Sequence, residues 1–447
     1  MKLTQYITTK ELTLEQREIF PSVPLSGAKT LTSAPEASND FLGFGVAITG
    51  SSCYLLAQME PEARRTLLES IYGKNGLGLS VARLTVGSSD YSAELYSYDD
   101  VENDVELKHF SIDRDRAYII PMIQEILAIN PDLYLYSSPW SPPGWMKTGG
   151  SMCGGFMRAE YLECYANYYV KFLQAYEACG IHISALTPQN ETETHQKGLM
   201  PACLWHPELE AEFVKILRRK LTENGMDVKI WIYDHNFIGA DYRVRWQLEH
   251  IDGLKQACDG IAFHYYEGAI EQTAALQADF PELKFHFTEG GPRLYDNYGT
   301  DWCKWATMIS KTLNSGYGSF TGWNLMLDEV GGPNVGPFFC GGLVTKNSVT
   351  GALSYSGQYR ALCHVAPFLQ KGAKIYPLQA SLNKGGVFTY PSAPTPMHGT
   401  LIVNPDGTHV YLLVNADAKK SQVQFELNGQ CYYAELLPDS VSTIVAK

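Results

Sequence analysis

The sequence predicts an α/β protein: a (β/α)8 TIM barrel with an attached β-sandwich built from the C-terminal strands and part of the N-terminus. Three observations lead there. Eight short apolar or β-branched runs alternate with segments of helical period between residue 43 and about residue 368. Past that point the helical period stops, and β runs succeed one another across turn signals such as "NPDG" at 404–407. With 447 residues, 45% of them hydrophobic, the chain is long enough for one large domain and one small one.

In chain order the first four runs are "GFGVAIT" (43–49), "LSVARLTV" (79–86), "LYLYSS" (133–138) and "HISALTP" (182–188). The next four are "VKIWIYD" (228–234), "GIAFHYY" (260–266), "KFHFTE" (284–289) and "FTGWNL" (320–325). Helical segments separate them. In "YLECYANYYVKFLQAYE" the residues Leu162, Tyr165, Tyr169, Phe172, Leu173 and Tyr176 form one face. In "PELEAEFVKILRRKL" Leu209, Phe213, Ile216, Leu217 and Leu221 do the same. The last barrel helix is expected near "SYSGQYRALCHVAPFL". After it come "GVFTY", "TLIVN", "THVYLLVN", "SQVQFEL", "CYYAEL" and "STIVAK", all β in character. The expected division is residues 1–40 contributing to the sandwich, 41–367 forming the barrel and 368–447 completing the sandwich.

Composition narrows the function. A net charge of -13 and the lack of any Lys/Arg-rich run disfavour nucleic acid or an anionic membrane surface as partner. No stretch of about 18 apolar residues suggests a membrane span. The first twenty residues lack the continuous apolar segment of a signal peptide, so the cytoplasm is the expected compartment. Ten cysteines are scattered singly, without CxxC or zinc-finger spacing, which points to reduced thiols rather than a disulfide framework. "GFGVAITG" lacks the GxGxxG spacing of a dinucleotide turn, and P-loop, HExxH and nucleophile-elbow motifs are missing. "YDHN" and the other histidines show no local metal-ligand spacing. No metal or cofactor is expected; the expected partner is a small-molecule or oligosaccharide substrate, and the oligomeric state is left open.

A barrel of this kind places its active site at the C-terminal ends of the strands. There the chain carries Asp90 after strand two, Trp140 after strand three, and Asn190 with Glu191 after strand four. Strand five ends in Asp234, His235 and Asn236, strand six in His264, Tyr265 and Tyr266, strand seven in Glu289, and strand eight in Trp323 and Asn324. A lone glutamate at such a place is usually a solvated loop residue. Two at matching strand ends, beside amides, histidines and tryptophans, outline a polar cup with aromatic walls. Glu191 and Glu289 then suit retaining glycoside hydrolysis, which needs one protonated and one ionised carboxyl about 5–5.5 Å apart.

The neighbours are weighed the same way. Glu193 stands past the strand end in "TETHQKG" and is expected to face away. Asn190 is either a turn-forming residue or a partner for a sugar 2-hydroxyl. Trp140 and Trp323 either stack on a pyranose face or pack in the rim. His264 and Tyr266 share one side of strand six and are expected to point inward together, although a lone His is usually a satisfied core residue. Arg83 lies inside a strand, where it is costly unless paired; it either holds an active-site carboxylate ionised or is structural.

At these residues the chain resembles glycoside hydrolase family 30, a glucosylceramidase-like family of β-glycosidases. The resemblance rests on "ARLTVGSSDYS", "LYSSPWSPPGWMKTGG", "TPQNE", "IAFHYY", "TEGG" and "GWNLMLDEVGGPN", all in family order. It implies Glu191 as acid/base and Glu289 as nucleophile, with Asp90, Trp140, Asn190, His264, Tyr266 and Trp323 lining a glucose subsite. Arg83 is implied to support the nucleophile. The implied reaction is retaining hydrolysis of a β-glycosidic bond without a metal, β-glucosides being favoured. β-Xylosidase, β-fucosidase and endo-β-1,6-glucanase activities of the same family are alternatives, as is a catalytically inactive carbohydrate-binding relative. Three departures stand out: Val46 and Gly50 replace a Gly and an Asp of the usual first-strand motif, and Thr192 stands where Pro usually comes after the acid/base. The segment "NVGPFFCGG" also differs from the glucosylceramidase pattern.

Overall fold

Residues 3–38, 40–378 and 398–447 are described by the computed structural model. The run "GVFTY" (386–390) lies outside them.

Eight parallel strands close a barrel. They are Gly43–Ala47, Val81–Thr85, Tyr134–Ser138, Ala185–Leu186, Lys229–Asn236, Gly260–His264, Lys284–Glu289 and Ser319–Gly322, one in each run read from the sequence. Ser319 pairs with Gly43 and thereby joins the eighth strand to the first. The first two strands approach so closely that a Cβ on Gly45 would sit 2.3 Å from the Val81 carbonyl oxygen, which is why glycine stands there. The fourth strand has only two regularly paired residues. Its neighbours carry on the ladder, Ser184 N donating to Leu135 O at 2.7 Å and Thr187 N to Ser137 O at 3.0 Å.

The barrel interior is layered. Val81, Tyr136, Ala185, Trp231 and Ala262 form an apolar floor, with His286 stacked on Trp231 at 3.7 Å. Above it the inward residues become polar, which leads directly to the site. Outside, the helix Leu162–Glu177 buries all six residues of its expected face. The helix Pro207–Glu223 starts on a proline, whose missing N–H costs nothing at that position. It buries Phe213, Leu217 and Leu221, while Leu209 and Ile216 are half-buried. The last barrel helix is shorter than the run that signals it. It spans Gly357–Cys363, capped by Ser356 Oγ accepting from Tyr359 N, and Pro367 limits the chain beyond it to a single 3-10 turn.

Strands from both chain ends build the second unit. In one sheet the order is Lys374–Pro377, His398–Val403, His409–Asn415, Ser440–Ala446, Leu3–Thr8 and Glu15–Ile19, all antiparallel. Gln430–Leu436, Ser421–Leu427 and Lys29–Thr30 make the other sheet, whose last pairing is parallel. Leu3, Ile19, Leu413 and Ile444 from one sheet pack with Val423, Phe425, Tyr432 and Leu436 from the other. The helix Trp302–Asn314 lies between barrel and sandwich and is buried on nearly every side. Polar bonds cross this junction: Trp302 Nε1 donates to Asp439 O at 3.0 Å, and the His364 ring bonds the Thr8 and Thr443 hydroxyls at 2.8 and 2.9 Å. All ten cysteines are free thiols. Among the described residues, no helix is long and apolar enough to cross a membrane.

Candidate active site

A cleft of about 430 Å³ opens at the C-terminal ends of the barrel strands. Asp90, Trp140, Asn190, Glu191, Tyr266, Glu289 and Trp323 all line it. Arg83 and His264 lie beneath it, both fully buried.

Asp234, at the end of the fifth strand, organises that lower layer. Its carboxylate accepts from Arg83 Nη2 at 2.7 Å, from the Ser138 and Thr187 hydroxyls at 2.8 Å each, and from Thr288 Oγ1 at 2.6 Å. His264 Nε2 adds a contact at 3.0 Å. A bulge between Tyr233 and His235 turns Asp234 inward. Asp234, Glu191 and Asn324 adopt left-handed backbone conformations, with φ of 50°, 55° and 65°. Non-glycine residues hold such angles only where the surroundings fix them; the Glu191 N–H, for example, donates to Asp234 O at 2.9 Å. Arg83 bonds Glu289 Oε2, Asn190 Oδ1 and Ser138 Oγ besides Asp234. A buried guanidinium with four acceptors is a paired charge.

The two glutamates face each other across this layer. One oxygen of Glu191, one of Glu289 and one nitrogen of His264 all lie within 4.8 Å of one another. Glu289 is held by Arg83 and by the Tyr266 hydroxyl at 2.9 Å. Glu191 is held by Gln196 Nε2 at 2.9 Å, with His264 Nδ1 at 3.4 Å and His235 Nε2 at 3.9 Å. The trio is compact enough for a cation. Its donors, however, are engaged with Arg83, Tyr266, Gln196 and Asp234, and Arg83 already brings positive charge to Glu289.

These contacts set the charges. Burial alone would lower His264, but Glu289, Asp234 and Glu191 outweigh it and hold the imidazolium up to about 9. Burial raises Glu191, yet the His264 hydrogen bond and the charges of His235 and His264 bring it down to about 2. Burial and the charge of Glu191 push Glu289 up, against the pull of His264 and Arg83. Asp90 is raised well above its ordinary value by burial first, then by Glu289 and Glu191.

Asp90 is 4% exposed, and its Oδ1 has no hydrogen-bond partner. A buried orphan acceptor on the cleft wall matches a group awaiting a ligand hydroxyl. The tryptophans differ from the simplest expectation. Trp140 and Trp323 stack on each other at 4.9 Å and 16°, so they pack as a pair in the wall rather than enclosing a sugar between them. His264, which the resemblance places in the sugar-lining set, is fully buried and touches the carboxylates from below. Glu193, expected to face away, lines the cleft, because the Tyr233 and Tyr242 hydroxyls draw its carboxylate in at 3.0 and 2.8 Å. Asp234, His235 and Gln196 join the site without a role expected from the sequence. Asp234 and His235 carry a signal there, as acid and histidine at a strand end; Gln196 carries none.

A family model described as the glycosyl hydrolase family 30 TIM-barrel domain matches residues 41–369. The chain belongs to glycosyl hydrolase family 30. Putative glucosylceramidase 3 of Caenorhabditis elegans is 31% identical over 389 residues, covering 81% of this chain and 73% of that protein. The endo-1,6-β-D-glucanase of Neurospora crassa is 27% identical, covering 90% and 84%. Among solved structures, SrfJ from Salmonella typhimurium superposes with a TM-score of 0.90 at 25% identity over 100% of both chains. An endo-β-1,6-glucanase gives 0.85 at 29% identity, covering 100% of this chain and 99% of that one. This family 30 chain is a glycoside hydrolase.

Three of its departures from the family pattern, Val46, Gly50 and Thr192, lie off the cleft. Val46 is fully buried in the main core, and Gly50 begins a helix capped by Thr49, whose hydroxyl also donates to Asn324 Oδ1 at 2.9 Å. Thr192 is fully buried, its hydroxyl donating to Tyr233 O at 3.4 Å. The segment "NVGPFFCGG" does reach the cleft, through Phe338 and Cys340.

Proposed function

We propose that the chain is a retaining β-glycosidase acting first on β-glucosides, with Glu289 as nucleophile and Glu191 as acid/base. The observation that carries this reading is the separation of the two carboxyls. With an oxygen of each within 4.8 Å of the other, the pair fits the roughly 5–5.5 Å spacing of retaining enzymes better than the roughly 6.5–9.5 Å of inverting ones. Position supports these roles. Arg83 and Tyr266 both donate to Glu289, contacts that an ionised carboxylate accepts in full.

Glu289 attacks the anomeric carbon as the bond to the leaving oxygen breaks, and Glu191 delivers its proton to that oxygen. The glycosyl ester on Glu289 is then attacked by water, whose proton returns to Glu191, and Glu289 leaves as carboxylate. The charges of His264 and His235 favour an ionised Glu191 beside a protonated His264, whereas the first step needs Glu191 protonated. The first step therefore requires that Glu191 take up a proton, and His264 Nδ1, 3.4 Å from Glu191 Oε1, is the ring nitrogen beside it. Asp234 keeps the other side of the His264 ring in place, and Arg83 remains beside Glu289 as its positive partner. The unpartnered Asp90 Oδ1 supports a sugar hydroxyl on the opposite wall.

The test is turnover of a panel of 4-nitrophenyl β-glycosides. The glucoside is expected to be the best substrate, and no turnover across the panel would contradict the reading. A second reading, cleavage of β-1,6-linked glucan, is favoured by the endo-β-1,6-glucanases among the similar proteins. It predicts that such a polymer is cut internally faster than the aryl glucoside is hydrolysed.

A further inference from the structure

The cleft is lined by two arcs of strand ends. Asp90, Trp140 and Trp323 come from strands two, three and eight. Glu193, His235, Tyr242 and Glu267 lie at the end of strand five or after strands four, five and six, and face them across the mouth. Glu191 belongs to the second arc. Because the acid protonates the leaving oxygen, the leaving group sits on its side.

That side is built of acceptors and hydroxyls. Glu193 is held by its Oε2, which takes both tyrosine hydroxyls; its Oε1 pairs with the Arg243 charge at 3.7 Å, a distance beyond a hydrogen bond. His235 is 8% exposed and lines the cleft, yet its Nδ1, 3.8 Å from Glu193, has no hydrogen-bond partner. The exposed ring of Tyr242 and the side chain of Ile238 flank this group. An alkyl leaving group seated here would give no hydrogen bond to Glu193 Oε1 or to the His235 ring nitrogen, and polar groups covered without hydrogen bonds are costly. A sugar offers hydroxyl donors to Glu193, a partner to His235, and a C–H face to Tyr242.

We propose that Glu193, with His235 beside it, is the specificity-determining anchor for the leaving group, and that this leaving group is a hydroxyl-bearing sugar rather than an alkyl or lipid chain. The inference rests on the β-glucosidase reading and adds the other half of the substrate to it.

The experiment compares three substrate types sharing one glucosyl group: β-linked glucosyl-glucose disaccharides, 4-nitrophenyl β-glucoside and octyl β-glucoside. Wild type, Glu193→Gln, Glu193→Ala and Tyr242→Phe are measured on each. Loss of a hydrogen bond to a charged group is worth about 10- to 100-fold in affinity. The ratio of kcat/KM for the best disaccharide to that for the aryl glucoside is therefore expected to fall by about that factor in Glu193→Ala, mainly through KM. Glu193→Gln, which keeps the shape, and Tyr242→Phe, which removes one tether, should give smaller falls in the same direction. A ratio that stays within about twofold in every variant, or a wild-type preference for the octyl glucoside over all disaccharides, overturns the inference. Wild-type inactivity on all three overturns the β-glucosidase reading instead, and the inference falls with it.

Discussion

Arg83 bonds Asp234, Glu289, Asn190 and Ser138 from one fully buried guanidinium, and only an arginine presents enough donors in a fixed plane for that. Replacing it with Met would leave two buried carboxylates without their counter-charge. The unfolding free energy should drop by about 3–5 kcal/mol in urea titrations, and activity should be lost with it. His264 gives a pH signature. Its folded-state value of about 9 lies above the ordinary 6.5, so the folded protein holds this proton more tightly than the unfolded chain. The stability it contributes is fully present below about 6.5 and is lost as pH rises through about 9. The difference in unfolding free energy between wild type and His264→Gln should accordingly shrink across that window, and a difference independent of pH would contradict the assignment. For these residues the sequence shows which ones end strands but not what each one touches. Arg83 inside "VARLTV" is legible as a charge needing partners; that Asp234 is the centre of those partners depends on a bulge, and bulges carry no reliable sequence mark. Glu193 defeats a reading from strand position alone, because Tyr233 and Tyr242, the latter nearly fifty residues away, set its orientation.

The barrel strands are legible as elements because each is a short apolar run between helical segments, and burial on both faces requires such runs. The fourth is the least regular, since only Ala185 and Leu186 pair before the chain turns to present Glu191. The N-terminal strands are legible only as unspecified contributors, because "EQREI" (15–19) is polar and exposed over most of its length and pairs as the edge of its sheet. Close approach between elements is testable at Gly45. Gly45→Ala would force a methyl to within 2.3 Å of a backbone oxygen, so the first two barrel strands must separate. A loss of about 1–3 kcal/mol or more is expected from denaturant midpoints. Gly299→Ala, with nothing within 4 Å of its new methyl, should stay within about 0.5 kcal/mol of wild type.

At the scale of the molecule, the two chain ends are structural parts of one sheet. Leu3–Thr8 lies between Ser440–Ala446 and Glu15–Ile19, and Leu3 and Ile19 help fill the sandwich core. Deleting residues 1–19 should expose the Ser440–Ala446 edge and part of that core, and lower soluble yield sharply compared with full-length chain. The sandwich packs against Trp302–Asn314, the helix that leads into the eighth barrel strand, so its integrity and that of the strand ends bearing Trp323 and Asn324 are coupled. All of this scaffold serves one geometric fact, the short separation of two carboxyls. Proton NMR of the first sugar released from 4-nitrophenyl β-glucoside, recorded before mutarotation, tests it most directly. β-Glucose is expected as the first-formed anomer; α-glucose appearing first would contradict the two-step scheme through Glu289 and Glu191.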